Sequence, residues 1–208
     1  MSNANLRLLA PDWLEDSAQG LAYWIGYSSV RDATPAPELA LGHELARLIG
    51  SKAKQYEVST ESPYGRMKTF ESAAIAPRAK ADITIWANIR GRRPVPALEL
   101  KCVIEIKRGK ASSSKIQDDF RRLAAVAEEL QGVRAFLVLV SEGGLPPKPF
   151  ATSNGLKYRA RVHPIEETRS EYIVTGVYKA APAFQHPDAA HYVCVAEVSR
   201  RPEFNAHV

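Results

Sequence analysis

The chain has few cysteines, no long apolar run, and no repeated or low-complexity segment. Only Cys102 and Cys194 occur, each inside an apolar stretch, and no cysteine and histidine spacing suggests a zinc site. This favours buried reduced thiols over a disulfide, and a reducing compartment. No window approaches the about 18 apolar residues that a membrane-spanning helix needs, and residues 1–13 lack the basic and then apolar pattern of a secretion signal. We therefore expect a cytoplasmic protein with no membrane partner.

The composition is that of a globular protein with a slight basic excess. Of 208 residues, 45% are hydrophobic and 25% are charged, so we expect a single domain over residues 1–208. Lysine and arginine number 28 against 23 aspartates and glutamates, which gives a formal charge of +5. A pI near 9.2 favours, weakly, a polyanionic partner such as nucleic acid.

Hydrophobic periodicity predicts a mixed-sheet α/β domain. Amphipathic patterns indicate three helices. Runs that are β-branched or alternate between apolar and polar residues indicate strands between the second and third helices and after the third. The order is two helices, a β-meander, a crossover helix and then more strands, which include additional strands over residues 156–200. The predicted helices are 12–30, 34–52 and 112–132, and the predicted strands are 55–64, 81–89, 97–107, 133–142, 157–167, 171–182 and 191–200.

One predicted strand carries charges on a face that otherwise suits a core. Alternation along "CVIEIKRGK" places Val103, Glu105 and Lys107 on one side. The preceding strand leads into "IRGRRPVPA", which is typical of a hairpin tip. A pairing that sets Asp82 opposite Glu105 has its midpoint between Arg93 and Pro94, inside that tip. The two carboxylates are therefore predicted to be cross-strand neighbours.

Neighbouring carboxylates repel each other and are costly to desolvate unless cations compensate them. Lys107, two residues beyond Glu105, offsets one of the two negative charges. The other favours a hard divalent cation such as Mg²⁺, which prefers one or two carboxylates together with water and phosphate oxygens. Such a site suits hydrolysis of a phosphodiester, with the lysine orienting the attacking water or neutralising the charge that develops on the phosphoryl group.

These motifs, "KADITIW" and "VIEIKRG", followed by a helix and an apolar strand, resemble the PD-(D/E)xK nuclease superfamily with its restriction-endonuclease-like fold. The resemblance covers about residues 37–140 and implies an α-β-β-β-α-β core that cleaves DNA, less often RNA. By position it implies Asp82 and Glu105 as ligands of Mg²⁺ or Mn²⁺, with the main-chain carbonyl of Ile106 as a further ligand. Lys107 would be the catalytic lysine.

Members of this superfamily often add a glutamate from the first core helix, and two residues compete for that place. At 100° per residue, Glu38 lies among the apolar residues that flank Leu45, whereas Glu44 lies at the edge of that stripe. We favour Glu38 on the buried face and keep Glu44 as the alternative, because the helix start near Pro37 can alter the angle.

Two other functions fit the same residues. One is a catalytically silent module of the same fold that only binds nucleic acid. The other is a small α/β protein-interaction domain in which Asp82, Glu105 and Lys107 form a solvated polar stripe with no metal affinity. An aromatic group at Tyr23, Trp24 and Tyr27 suits a core or oligomer contact, which leaves a homodimer open.

Overall fold

A computed structural model of the chain describes residues 10–31, 36–68, 70–89, 97–142, 147–158, 161–180 and 190–202. Within them the chain forms three α-helices, one short 3₁₀ helix (Tyr64–Arg66) and seven strands. In chain order these are α1 (Asp12–Arg31), α2 (Glu38–Lys52), β1 (Tyr56–Pro63), β2 (Lys80–Ile89), β3 (Ala97–Arg108), α3 (Ser113–Glu129), β4 (Arg134–Ser141), β5 (Val162–Pro164), β6 (Ser170–Lys179) and β7 (Tyr192–Arg200).

The seven strands form a single mixed sheet in the order β1-β2-β3-β4-β7-β6-β5. Strands β3 and β4 are parallel and are joined by α3, and the other neighbouring strands are antiparallel. A parallel pair needs a crossover connection, and α3 supplies it. The predicted α/β class with a mixed sheet is confirmed.

Apolar stripes place the helices on both faces of this sheet. Leu14 and Leu21 of α1 and Leu41 and Leu45 of α2 are fully buried against one face. On the other face α3 packs through a second group of buried side chains, which includes Phe120, Leu123 and Val126. Each helix packs its apolar stripe against the sheet, because apolar surface is removed from water only where another layer covers it.

The β2–β3 hairpin has the predicted register near the two carboxylates. Ile83 pairs with Ile104, and continuing this ladder by one residue sets Asp82 opposite Glu105. A β-bulge between Ile85 and Trp86 shifts the register by one toward the tip, which the sequence did not predict. The tip itself, residues 90–96, lies outside the described residues.

Two other predictions need correction. The strand predicted at 157–167 is reduced to Val162–Pro164, because the terminal proline offers no N–H to a ladder and a turn follows with Glu167 at φ 63°. Tyr23 and Tyr27 are exposed, and of the aromatic group Trp24 packs against the core. In the described part of the chain, no helix combines the length and the apolar character required to cross a membrane.

Candidate active site

The predicted site residues meet at the carboxyl end of β3, where the start of α2 and the first half of α3 approach the sheet from opposite faces. Glu105 and Lys107 come from β3 and Asp82 from β2, while Glu38 is the first residue of α2. The structure therefore brings together residues that are far apart in the sequence: Glu38 and Lys107, which are in contact, are 69 positions apart.

The side chain of Asp82 is hydrogen-bonded to the main chain of β3. The N–H of Ile106 donates a hydrogen bond of 2.6 Å to Oδ2 of Asp82. In an antiparallel ladder the N–H and C=O of one residue point toward the same neighbouring strand, so the Ile106 carbonyl also points toward β2. This arrangement places the carbonyl predicted as a ligand on the Asp82 side of β3.

Glu105 is a buried carboxylate with two side-chain donors. It is 2% exposed, and its Oε1 accepts hydrogen bonds from the hydroxyl of Tyr64 at 2.5 Å and from Nε of Arg122 at 3.4 Å. Burial raises the pKa of Glu105 well above its usual range, and the neighbouring charge of Asp82 raises it further. The pKa of Asp82 is also raised, again mainly by burial. The two groups interact directly, as the hairpin register requires.

Lys107 forms ion pairs with carboxylates from both helical layers. Its Nζ lies 2.8 Å from Oε1 of Glu38 and 3.2 Å from Oδ2 of Asp119 in α3. Burial alone would lower the pKa of Lys107, but the two carboxylates outweigh it and the pKa is raised. The ammonium group is therefore charged at neutral pH.

The two competing glutamates of α2 have different partners. Glu38 contacts Lys107, whereas Glu44 forms a bidentate pair with Arg47 one turn along the same helix, at 2.6 and 2.9 Å. Glu38 therefore belongs to the site, whereas Glu44, whose side chain is 13% exposed, pairs within its own helix. Glu38 lies on the side of α2 that contacts the sheet, where it is half-buried, with 39% of its side-chain surface exposed at the helix start.

Three residues of the site are absent from the sequence-based predictions: Tyr64, Asp119 and Arg122. Asp119 is 1% exposed and pairs with Arg122 one turn along α3. A helical wheel could have found it, because at 100° per residue Asp119 lies only about 40° from Leu123 on the apolar stripe. No comparable sequence signal marks Tyr64 or Arg122. Tyr64 reaches the site through the 3₁₀ helix that follows β1, which brings its hydroxyl to a residue 41 positions away.

These side chains form one charge-imbalanced group, which we call the β3 charge cluster: the carboxylates Glu38, Asp82, Glu105 and Asp119 with the cations Lys107 and Arg122. If all six are ionised, the cluster carries two excess negative charges. Burial also raises the pKa of Asp119, to about 6. The cluster therefore binds protons readily, or else requires another cation.

A cleft of about 170 Å³ connects the cluster with solvent. Its lining comes from the first turns of α2, from β1 and from β2: Glu38, Leu39, Gly42, His43, Thr60, Glu61 and Asp82. Asp82 and Glu38 thus face an open space, whereas Glu105 lies behind them.

The described residues contain no group of three or more His, Cys, Asp or Glu side chains in a metal-binding arrangement. Asp82, Glu105 and the Ile106 carbonyl are the groups that could hold a cation. Comparisons of the chain with protein-family models, with curated proteins and with solved structures find no match.

Proposed function

We propose that this protein is a divalent-metal-dependent nuclease of the PD-(D/E)xK superfamily, an endonuclease that hydrolyses phosphodiester bonds in DNA. The observation that carries the proposal is the β3 charge cluster: two interacting carboxylates, Asp82 and Glu105, beside a charged lysine, in a group whose net charge is −2 when all six side chains are ionised. One Mg²⁺ or Mn²⁺ ion would neutralise that charge.

The arrangement of the chain around the cluster supports the same proposal. From Glu38 to Ser141 the elements follow the order α2, β1, β2, β3, α3, β4, with the cluster at the carboxyl end of β3. This element order is the one that the resemblance to a restriction-endonuclease-like core implies, so it supports the proposal. Strands β5, β6 and β7 extend the sheet beyond β4, and the basic excess of the chain suits a polyanionic substrate.

The donor set fits a hard cation. Tyr64 and Arg122 both bind Oε1 of Glu105, Ile106 binds Oδ2 of Asp82, and the two carboxyl groups hydrogen-bond to each other, an interaction that a cation between them would replace. Asp82, Glu105 and the Ile106 carbonyl would hold it, with water and substrate oxygens as its remaining ligands. When bound, the ion acidifies a water molecule and stabilises negative charge on phosphate oxygens.

The side chains of the protein would divide the remaining work. Lys107 is charged at neutral pH, so it cannot act as the base; its ammonium orients the attacking water and neutralises charge on the phosphoryl group. Glu38 holds that ammonium from the open side of the cleft and can accept the proton that the water loses. The water oxygen bonds to phosphorus as the bond to the leaving oxygen breaks.

The test is cleavage of supercoiled plasmid, linear duplex, single-stranded DNA and RNA by the pure protein, with Mg²⁺, with Mn²⁺ and with a chelator. We expect cleavage of DNA that needs the metal. Asp82→Asn should remove it, and Glu38→Gln should reduce it. Glu44→Gln is the matched control on the same helix and should cleave as wild type, because its carboxylate pairs with Arg47 and not with Lys107.

Melting curves separate the alternatives if no substrate is cleaved. Binding of Mn²⁺ to the folded state raises the Tm by mass action, and Asp82→Asn should abolish that rise. A rise in Tm without cleavage would favour the silent nucleic-acid-binding module of the same fold. A Tm unchanged at millimolar Mn²⁺ would contradict the metal site and favour the structural stripe of an interaction domain.

A further inference from the structure

Lys107 is held between two carboxylates that differ in how firmly they are fixed. Glu38 is 39% exposed at the start of α2, whereas Asp119 is 1% exposed within α3. An exposed ion pair is weakened by solvent and can break through rotation of either side chain. A buried partner is held by the packing around it. Of the two, Asp119 is therefore the one that can fix the position of the lysine ammonium.

Asp119 is itself fixed by its surroundings. Its neighbour Phe120 is buried in the core and stacks on Tyr172, which anchors this turn of α3. Oδ1 of Asp119 is in close contact with the guanidinium of Arg122. Within the described residues, Oδ2 makes no regular hydrogen bond and has the Lys107 ammonium 3.2 Å away. One oxygen of a buried carboxylate thus depends on Lys107 for compensation.

We propose that Asp119 is a positioning residue, which holds the Lys107 ammonium in its catalytic position, while Arg122 in turn fixes Asp119. This inference rests on the proposed function, because only a catalytic Lys107 gives Asp119 a role in the reaction. Because Asp119 pairs with Lys107 and Arg122, we assign it a role that acts through the lysine rather than through the metal.

A double-mutant cycle on cleavage tests the proposal: wild type, Asp119→Asn, Lys107→Ala and the double variant. Misplacement of a catalytic group costs up to about 10²-fold in rate, so we expect Asp119→Asn to lower kcat by roughly 10- to 100-fold. In the Lys107→Ala background, Asp119→Asn should cause no further loss, since the group on which it acts is gone. A merely structural residue would lower the rate in both backgrounds.

Two further variants make the result specific. Asp118→Asn is the matched control, because Asp118 is exposed and pairs with Arg121 on the helix surface; it should cleave as wild type. Asp119→Glu keeps the charge but displaces the carboxylate, so its kcat should fall between those of wild type and Asp119→Asn. If Asp119→Asn does not fold, Asp119→Glu replaces it, and an unchanged kcat then overturns the inference.

The outcomes separate this inference from the proposed function. If wild type cleaves and Asp119→Asn cleaves equally fast, the positioning role is wrong and the nuclease assignment stands. If Asp119→Asn abolishes the rise in Tm caused by Mn²⁺, Asp119 is a ligand and the positioning role is again wrong. If wild type cleaves none of the nucleic acids, both proposals fail.

Discussion

Two groups of buried or half-buried charged side chains lie at different ends of the β3–β4 pair. At the start of β4, Arg134 forms a bidentate pair with Glu197 of β7, at 2.8 and 2.9 Å. At the carboxyl end of β3, the β3 charge cluster combines four carboxylates with two cations. In the first group the charges cancel, whereas in the second they do not.

The Arg134–Glu197 pair, whose charges cancel, suits support of the fold. The β3 charge cluster, whose charges do not cancel, suits a reaction. A carboxylate and a guanidinium in bidentate contact compensate each other's charge. An excess of buried carboxylates costs folding free energy, and their raised pKa values express that cost. Raised pKa values of this kind concentrate at functional sites.

The largest expected effect is on catalysis, and only changes in the β3 charge cluster should cause it. Lys107→Ala should lower the rate of DNA cleavage by roughly 10²-fold or more, because single electrostatic groups that stabilise a transition state contribute about that much. The rise in Tm caused by Mn²⁺ should survive, since Asp82 and Glu105 are untouched. Arg134→Ala removes a cation from the balanced pair and should leave the cleavage rate unchanged. Equal cleavage by Lys107→Ala and wild type would refute the role given to Lys107.

Neutralising one glutamate in each group should have opposite effects on stability. Glu197→Gln removes the carboxylate that pairs with Arg134, so we expect a loss of about 1–3 kcal/mol in the free energy of unfolding, measured by urea titration. Glu105→Gln removes one excess negative charge, so without metal its stability at pH 7 should equal or exceed that of wild type. It should also lose the rise in Tm with Mn²⁺. A metal-free Glu105→Gln protein as destabilised as Glu197→Gln would show that the cluster is not imbalanced.

The dependence of stability on pH should likewise come from the unbalanced group. Burial raises the pKa of Asp119 from 3.8 to about 6, and those of Asp82 and Glu105 also rise. A carboxyl group with a raised pKa binds its proton more tightly in the folded state. Its contribution to stability is complete below the unfolded pKa and is lost as the pH rises through the folded value.

In the presence of a chelator, the Tm of wild type should therefore fall as the pH rises from about 4 through about 6, the unfolded and folded pKa values of Asp119. Glu105→Gln should show a smaller fall, because it contains one such group fewer. Mn²⁺ should reverse the loss at the upper end of this range, since metal binding displaces the protons. Parallel Tm profiles of the two proteins in chelator would contradict the coupling.

The smallest expected effect concerns the hydroxyl of Tyr64. Tyr64→Phe removes a hydrogen bond of 2.5 Å to Glu105 and leaves the ring, which packs edge-on against Phe70, in place. We expect a loss of about 1–2 kcal/mol in the free energy of unfolding, because a buried carboxylate loses a donor. Tyr56→Phe offers a control, since Tyr56 packs against the opposite face of the sheet. An equal effect of the two changes would mean that the bond to Glu105 adds nothing.

Local patterns in the sequence determined the secondary structure and half of the site. Alternation along β3 sets Glu105 and Lys107 on one face, and the hairpin signal sets Asp82 opposite Glu105, because both depend only on residues near each other in the chain. The apolar stripes of α1, α2 and α3 predicted which helix faces would be buried for the same reason.

Tertiary structure alone decided which side chains surround that pair. Asp119 and Arg122 reach β3 only because the crossover packs α3 against its carboxyl end, and Tyr64 arrives through a turn that no periodicity marks. Glu38 rather than Glu44 faces Lys107 because of where α2 begins over the sheet. A periodic pattern specifies which face of an element is buried, but the balance of charge at a site depends on which layers meet there, and this is a property of the packed fold.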